Sequence, residues 1–356
     1  MKETDGKTAA AGGAVLPAGH YWGARTERSR RELSGRAANE TAPREIIRAF
    51  GILKRAAARV NFDLLPERMD EEKCAAIFAA ADEIIRGRLA DEFPLAVWQA
   101  DAGEKINVNV NEVIARRGSE MASEPLLCSG EDGLSQPPDD VADEPLLSPE
   151  DVNLSQPPDG AFAAAVRIAA ALAVEEQLLP ALEALLGVLT RREDAAPWRD
   201  LLEIGRDALR GALPGLHSLP LGGAGAPEGY AAAVAAEVAR QTGKAFVSED
   251  GARAETGPLD ALLSAHGAMR SLARKLVDTL RGALPSEKAA ISCERLEIAA
   301  AQVMGNGAVL EFAAGEWEGD YGNRFLPLCA YNFLQSARLL SEPMASLASE
   351  CGDEEG

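Results

Sequence analysis

Apolar residues recur at the three-to-four-residue spacing of an α-helix over long stretches of this chain, and that period leaves little room for a sheet-based fold. From Pro43 to Leu65 the positions Ile46, Ile47, Phe50, Leu53, Ala57 and Val60 keep the spacing, with Thr41 as a cap and Pro43 near the first turn. A second such segment runs from Glu71 to Leu89, with Cys74, Ile77, Phe78, Ala81, Ile84 and Ile85 on one face. Ala is abundant and only 5% of residues are aromatic, so the core is expected to be Leu, Ile, Val and Ala, the filling of closely packed helices. The spacing predicts a mainly α fold, and the length of the later helical patterns predicts a bundle.

Those later patterns cover Gly160 to Leu189, with a bend expected at Pro180, then about Pro258 to Leu284, Ala289 to Gly305 and Pro327 to Leu347. Gly103 to Ser119 alternates Asn and Val before a helical continuation. The segment from Glu124 to Asp159 is rich in Pro, Asp, Glu and Ser, and it repeats: EPLLCSGEDGLSQPPD at Glu124 returns as EPLLSPEDVNLSQPPD at Glu144. One short duplication cannot build a solenoid, so it is expected to be an exposed acidic linker. The expected organisation is an N-terminal helical domain over 1–123, the linker over 124–159, a helical-bundle domain over 160–348 and an acidic tail over 349–356.

Composition excludes several roles. A formal charge of −20 opposes binding to nucleic acid, which needs clustered Lys and Arg. Cys74, Cys128, Cys293, Cys329 and Cys351 show no C-x-x-C spacing, which indicates neither a zinc site nor a disulfide framework and fits a reducing compartment. The most apolar run, Ala161 to Val174, is interrupted by Arg167 and followed by two Glu, too short and too charged for a bilayer span. The start, MKETDGKTAAAGG, lacks a secretory pattern, so a cytoplasmic location is expected.

Five blocks then appear in one order along nearly the whole chain: HYWGARTERSRREL at His20, DEFPLAVWQADAGEKINVNVNEVIARRGSE at Asp91, DVNLSQPPDGAF at Asp151, AAAQVMGN at Ala299 and YNFLQSARLL at Tyr331. In this series the chain resembles the class II fumarases of the fumarase and aspartase superfamily. The resemblance starts near Glu3, so no targeting extension is expected before it. It implies an N-terminal helical domain, a central domain of very long helices that joins four chains in a shared bundle, and a small C-terminal helical domain. Against that pattern the chain is expected to lack the C-terminal domain and one bundle helix, GLHSLP between Pro214 and Leu221 standing where that helix belongs.

The family's reaction removes a proton beside one carboxylate of a dianion and expels a group from the next carbon, which demands a base and several donors for the carboxylates. Where the family has the carboxylate-binding G-S-G-T, this chain has Asp101, Ala102, Gly103 and Glu104. Both hydroxyls are lost and two acids appear where an anion should sit, and at about 4 Å with an effective dielectric near 20 each like-charge contact opposes a dianion by roughly 4 kcal/mol before screening. The family's S-S-N-D reads Pro157, Pro158, Asp159, Gly160, and its accessory H-P-N-D reads Ser148, Pro149, Glu150, Asp151. The G-R-T-H block reads Gly205, Arg206, Asp207, Ala208, so its His is lost, while the partner Glu is retained as Glu294. The mobile signature loop is absent between Leu284 and Cys293, with Ser286 and Lys288 left as residue types alone.

Glu294 is thus the one retained candidate for a catalytic role, and its bland reading is a helix-surface acid. Asn107, Asp151, Ser155 and Gln156 remain as family positions without an assigned role. His20, His217 and His266 are read as structural, and no metal or cofactor is implied. The reading is a fumarase-like protein that has lost catalysis and persists as an assembly partner or a decayed homologue. The alternative is a fumarate hydratase with a rebuilt site. The implied ligand class is a small dicarboxylate, with no nucleic acid and no membrane as partner. Leu172, Leu178, Leu182, Leu185 and Leu189 are expected to form an apolar face that drives homo-oligomerisation or assembly with a full-length fumarase.

Overall fold

The computed structural model describes residues 19–33, 39–128, 145–191, 195–223, 225–249, 259–283, 287–316 and 324–352. After α1 (Ala24–Glu32), α2 (Arg44–Leu64) follows Pro43 and α3 (Glu71–Ile85) is capped by Asp70, whose carboxylate accepts from the Lys73 amide at 2.8 Å. The long α4 (Ala102–Cys128) packs on α3, so the alternating Asn and Val of its first turns lie on a helix. A short α5 (Pro149–Val152) starts in a capping box between Ser148 and Asp151.

The long pattern at 160–189 forms one continuous rod of α6 (Pro158–Ala173), a π-helical turn (Val174–Leu178) and α7 (Leu179–Thr190). The π turn stands just before Pro180, whose ring crowds the preceding carbonyls, and the Leu179 amide reaches back to the Val174 carbonyl instead. Next come α8 (Ala196–His217), β1 (Ser218–Leu219), α9 (Tyr230–Thr242) and β2 (Val247–Ser248), the two strands pairing in parallel. The chain continues with α10 (Asp260–Ala283), α11 (Glu287–Gly315) and α12 (Leu326–Gly352). In the bundle α10 packs between α8 and α11, α11 against α12, and α12 against α7, while α2 joins the N-terminal layer to α6 and α9.

Several expectations change. Leu172, Leu178, Leu182, Leu185 and Leu189 are buried inside the chain, so they form no exposed face. Residues 129–144 lie outside the described residues, but the second copy of the repeat is no exposed linker: Leu147, Val152 and Leu154 are core residues, and Leu147 N–H donates to Ser119 Oγ. The tail is helical through Gly352, with Cys351 buried. At Pro214 to Leu221, α8 ends at His217 and β1 follows, so no further helix stands there. Both α8 and α9 escaped the sequence reading. No helix among the described residues is long and apolar enough to cross a membrane.

A polar knot joins the last three helices. Buried His266 on α10 bonds through Nε2 to Ser336 Oγ on α12 at 2.9 Å, and Asn306 on α11 donates to the same Oγ at 2.9 Å. Burial, helped by Arg270 and opposed by Glu311, pushes the His266 imidazole down to about 4. The unfolded chain therefore takes up this proton first, near the ordinary value of 6.5. Stability from the neutral ring is complete above that pH and is lost as pH falls toward 4, by about 3 kcal/mol in all. Urea midpoints should drop across this window and drop less in His266→Gln; equal slopes in the two proteins would remove His266 as the cause.

Candidate active-site cleft

The N-terminal layer meets the α5 turn at a cleft of about 560 Å³. Its wall is organised by Asn153, whose Oδ1 accepts from Lys54 Nζ on α2 at 2.8 Å and from Asn107 and Asn111 Nδ2 on α4 at 3.2 Å each. Asn107 and Asn111 are four residues apart and therefore share one face of α4. Asn153 Nδ2 donates to the Gln156 carbonyl at 3.0 Å, which fixes the amide's orientation. The next turn is pinned from α2: Asn61 donates to the Leu154 carbonyl at 3.0 Å, and Ser155 Oγ donates to Asn61 Oδ1 at 2.8 Å. Ser155 holds a left-handed backbone (φ 62°), a conformation costly for a residue other than glycine and kept here by those bonds.

Lys54 is fully buried with no carboxylate partner among the described residues, and desolvation holds its amine well below the ordinary lysine range. Sequence reasoning missed Lys54, Asn111 and Asn153. A signal for the first was present: Lys54 falls on the apolar stripe of α2, beside Leu53 and one turn after Phe50, where a charged residue needs a reason.

Of the retained family positions, Asn107, Ser155 and Gln156 come together on this cleft, and Glu104 and Glu150 also line it. Asp151 turns away into its capping box and an ion pair with Lys73 at 2.9 Å; the bonds from Ser148 and Lys73 hold its carboxyl below the usual range despite desolvation, the largest single influence. Glu294 is exposed on α11, and no described residue of α8, α10, α11 or α12 lines the cleft. Asp101 is exposed just before α4 and also stands outside the lining. Ala208 is exposed on α8. The Asp159 and Lys288 side chains and all of Ser286 lie outside the described residues.

None of the three histidines reaches the cleft. His20 stacks on Trp22 with centroids 3.7 Å apart, His217 bonds Glu175 at 2.9 Å beside the π turn, and His266 belongs to the bundle knot. Among the described residues, no group of three or more His, Cys, Asp or Glu is placed to hold a metal ion.

Residues 12–218 match the lyase family. A class II fumarate hydratase of Bordetella parapertussis is 34% identical over 397 aligned residues, covering 94% of this chain and 80% of the relative. The Yersinia pestis enzyme of the same name is 32% identical, over 99% and 83%. The chain belongs to the lyase family of the class II fumarate hydratases. Its alignments are longer than its own 356 residues, so these family members carry internal residues that it lacks. Solved structures show the same fold: the class II fumarase of Schistosoma mansoni has a TM-score of 0.81 at 22% identity, over 94% of this chain and 81% of the other. A fumarate lyase:delta crystallin of Brucella melitensis has a TM-score of 0.76 at 24% identity, over 94% and 84%.

Proposed function

We propose that this chain is a non-catalytic member of the class II fumarase family, keeping the helical scaffold and the cleft without the groups that bind and deprotonate a dicarboxylate. The observation that carries the reading is the cleft's lining: Glu104 stands where the resemblance puts a hydroxyl for the substrate, and no histidine lines the wall. A general base must come within hydrogen-bond reach of the proton it takes, and Glu294 lies on a helix that contributes no described residue to this cleft. Its role is that of a surface acid. The chain acts through assembly, with copies of itself or with a full-length fumarase.

Fumarate hydration by the parent and by Ala208→His tests this. A restored imidazole alone supplies no carboxylate donors, and groups that act as a unit are not rescued singly. Neither protein should form malate above a no-protein blank, although a working acid–base pair contributes about a hundredfold or more in rate. Malate formation by the single variant would favour the rebuilt hydratase.

A further inference from the structure

The last two helices run antiparallel, and two contacts fix their register. Asn306 on α11 donates to Ser336 Oγ on α12 at 2.9 Å, and Ser292 Oγ, near the start of α11, donates to Glu350 Oε1, near the end of α12, at 2.9 Å. The next residue on each helix is a cysteine, Cys293 and Cys351. One step along an α-helix turns a side chain by about 100°, and because the axes are antiparallel both steps turn toward the same side of the helix pair. The two thiols therefore stand on one side of the seam. A second observation agrees with that placement: after burial, Cys351 is the largest influence pushing the Cys293 thiol up, ahead of Glu297 and Glu350. Cys293 is half-buried and Cys351 is 8% exposed, so solvent reaches Cys293 more readily.

We propose that Cys293 and Cys351 are an oxidisable pair that closes to a disulfide and ties the end of α12 to the start of α11. Their wide separation in sequence hid the pair from any reading of cysteine spacing. Cys351 lies in the last turn of α12, where a helix end frays and can shift to meet the narrow geometry of a disulfide. The oxidant is a low-molecular-weight disulfide. The Cys293 thiolate attacks one of its sulfurs, the oxidant's S–S bond breaks and one thiolate leaves, giving a mixed disulfide. Cys351, once deprotonated, attacks Cys293 Sγ and expels the second thiolate. Two electrons pass from the protein to the oxidant, and the two protons lost by the cysteines end on the two released thiols. The thiolate is the nucleophile and burial raises this thiol, so the link forms slowly near neutral pH and faster as pH rises.

The test is to reduce the full chain, incubate it folded with oxidised glutathione, alkylate it and digest it with trypsin. The expected product joins peptide 289–295 to peptide 339–356 and is lost on adding dithiothreitol. Its rate of formation should rise about tenfold from pH 7 to pH 8. Closing so long a loop should raise Tm by about 5 °C in the parent. In Cys351→Ser the Tm should not rise, and glutathione should stay on Cys293 as the mixed disulfide. Glutathione staying on Cys293 in the parent, no reaction at either thiol, or a link to Cys74, Cys128 or Cys329 instead would overturn the proposal. A link between the two cysteines that brings no rise in Tm would overturn its role as a tie between the helices.

Discussion

Glu112→Ala should destabilise the protein by about 3 kcal/mol or more, the largest single-residue effect expected in the N-terminal layer. Glu112 sits on α4 with 5% of its surface exposed, yet it does the capping for α1, whose own cap residue Gly23 has no side chain. Its Oε2 accepts from the Gly23 amide at 2.8 Å, the Thr26 amide at 3.2 Å and Thr26 Oγ1 at 2.6 Å; its Oε1 accepts from the Arg25 amide at 3.1 Å. A negative charge at a helix N-terminus is favourable on its own account. Gly23 allows the approach, because a Cβ there would lie 2.6 Å from the carboxyl carbon. Alanine strands four donors, three of them backbone amides. Glu112→Gln keeps the shape but turns an amino group toward donors, so its cost should fall between parent and Ala. Urea midpoints order the three proteins; an Ala variant as stable as the parent would show that α1 is held by something else.

Ile298→Lys should break self-association. Ile291, Ile298 and Phe312 on α11 are 65%, 65% and 62% exposed, and the exposed Ala301, Gly305 and Ala308 lie among them. The opposite face, with Leu296, Val303 and Leu310, is fully buried against the other bundle helices. Glu294 shares this face, but the rest of the stripe is apolar and needs cover, and the small residues at its middle let a second helix approach closely. Covering this stripe in a copy of the chain removes apolar area worth roughly 25 cal/mol per Å² from water, whereas a lysine at its centre would have to be desolvated. Light scattering should give a mass above that of one chain for the parent and the mass of one chain for Ile298→Lys. A monomeric parent would contradict the assembly role.

The expected face of association moved for a physical reason. Periodicity locates an apolar stripe but not what covers it: the leucines of α6 and α7 are covered by α12 and their other neighbours within the chain, and the uncovered residues are on α11, whose two apolar faces blur any one-sided pattern. The helix at 44–64 was legible because its apolar and polar residues segregate cleanly. The second copy of the repeat looked like linker because Pro, Ser and Asp dominate it, yet those same residues build the α5 capping box and the turn that shapes the cleft. In the site, Asn107, Ser155 and Gln156 were legible as retained positions and do converge. The Asn153 hub was not, since three amides and a buried Lys54 meet through contacts 42 to 99 residues apart in sequence.

The central claim is that a fumarase fold survives here without fumarase chemistry, and the most direct test is fumarate hydration by the purified, folded parent. Helicity by circular dichroism first establishes that the sample is the α-helical fold described above. The account predicts malate formation no faster than the no-protein blank, at any fumarate concentration up to the millimolar range. Turnover above that blank that persists at constant specific activity through successive purification steps would contradict it.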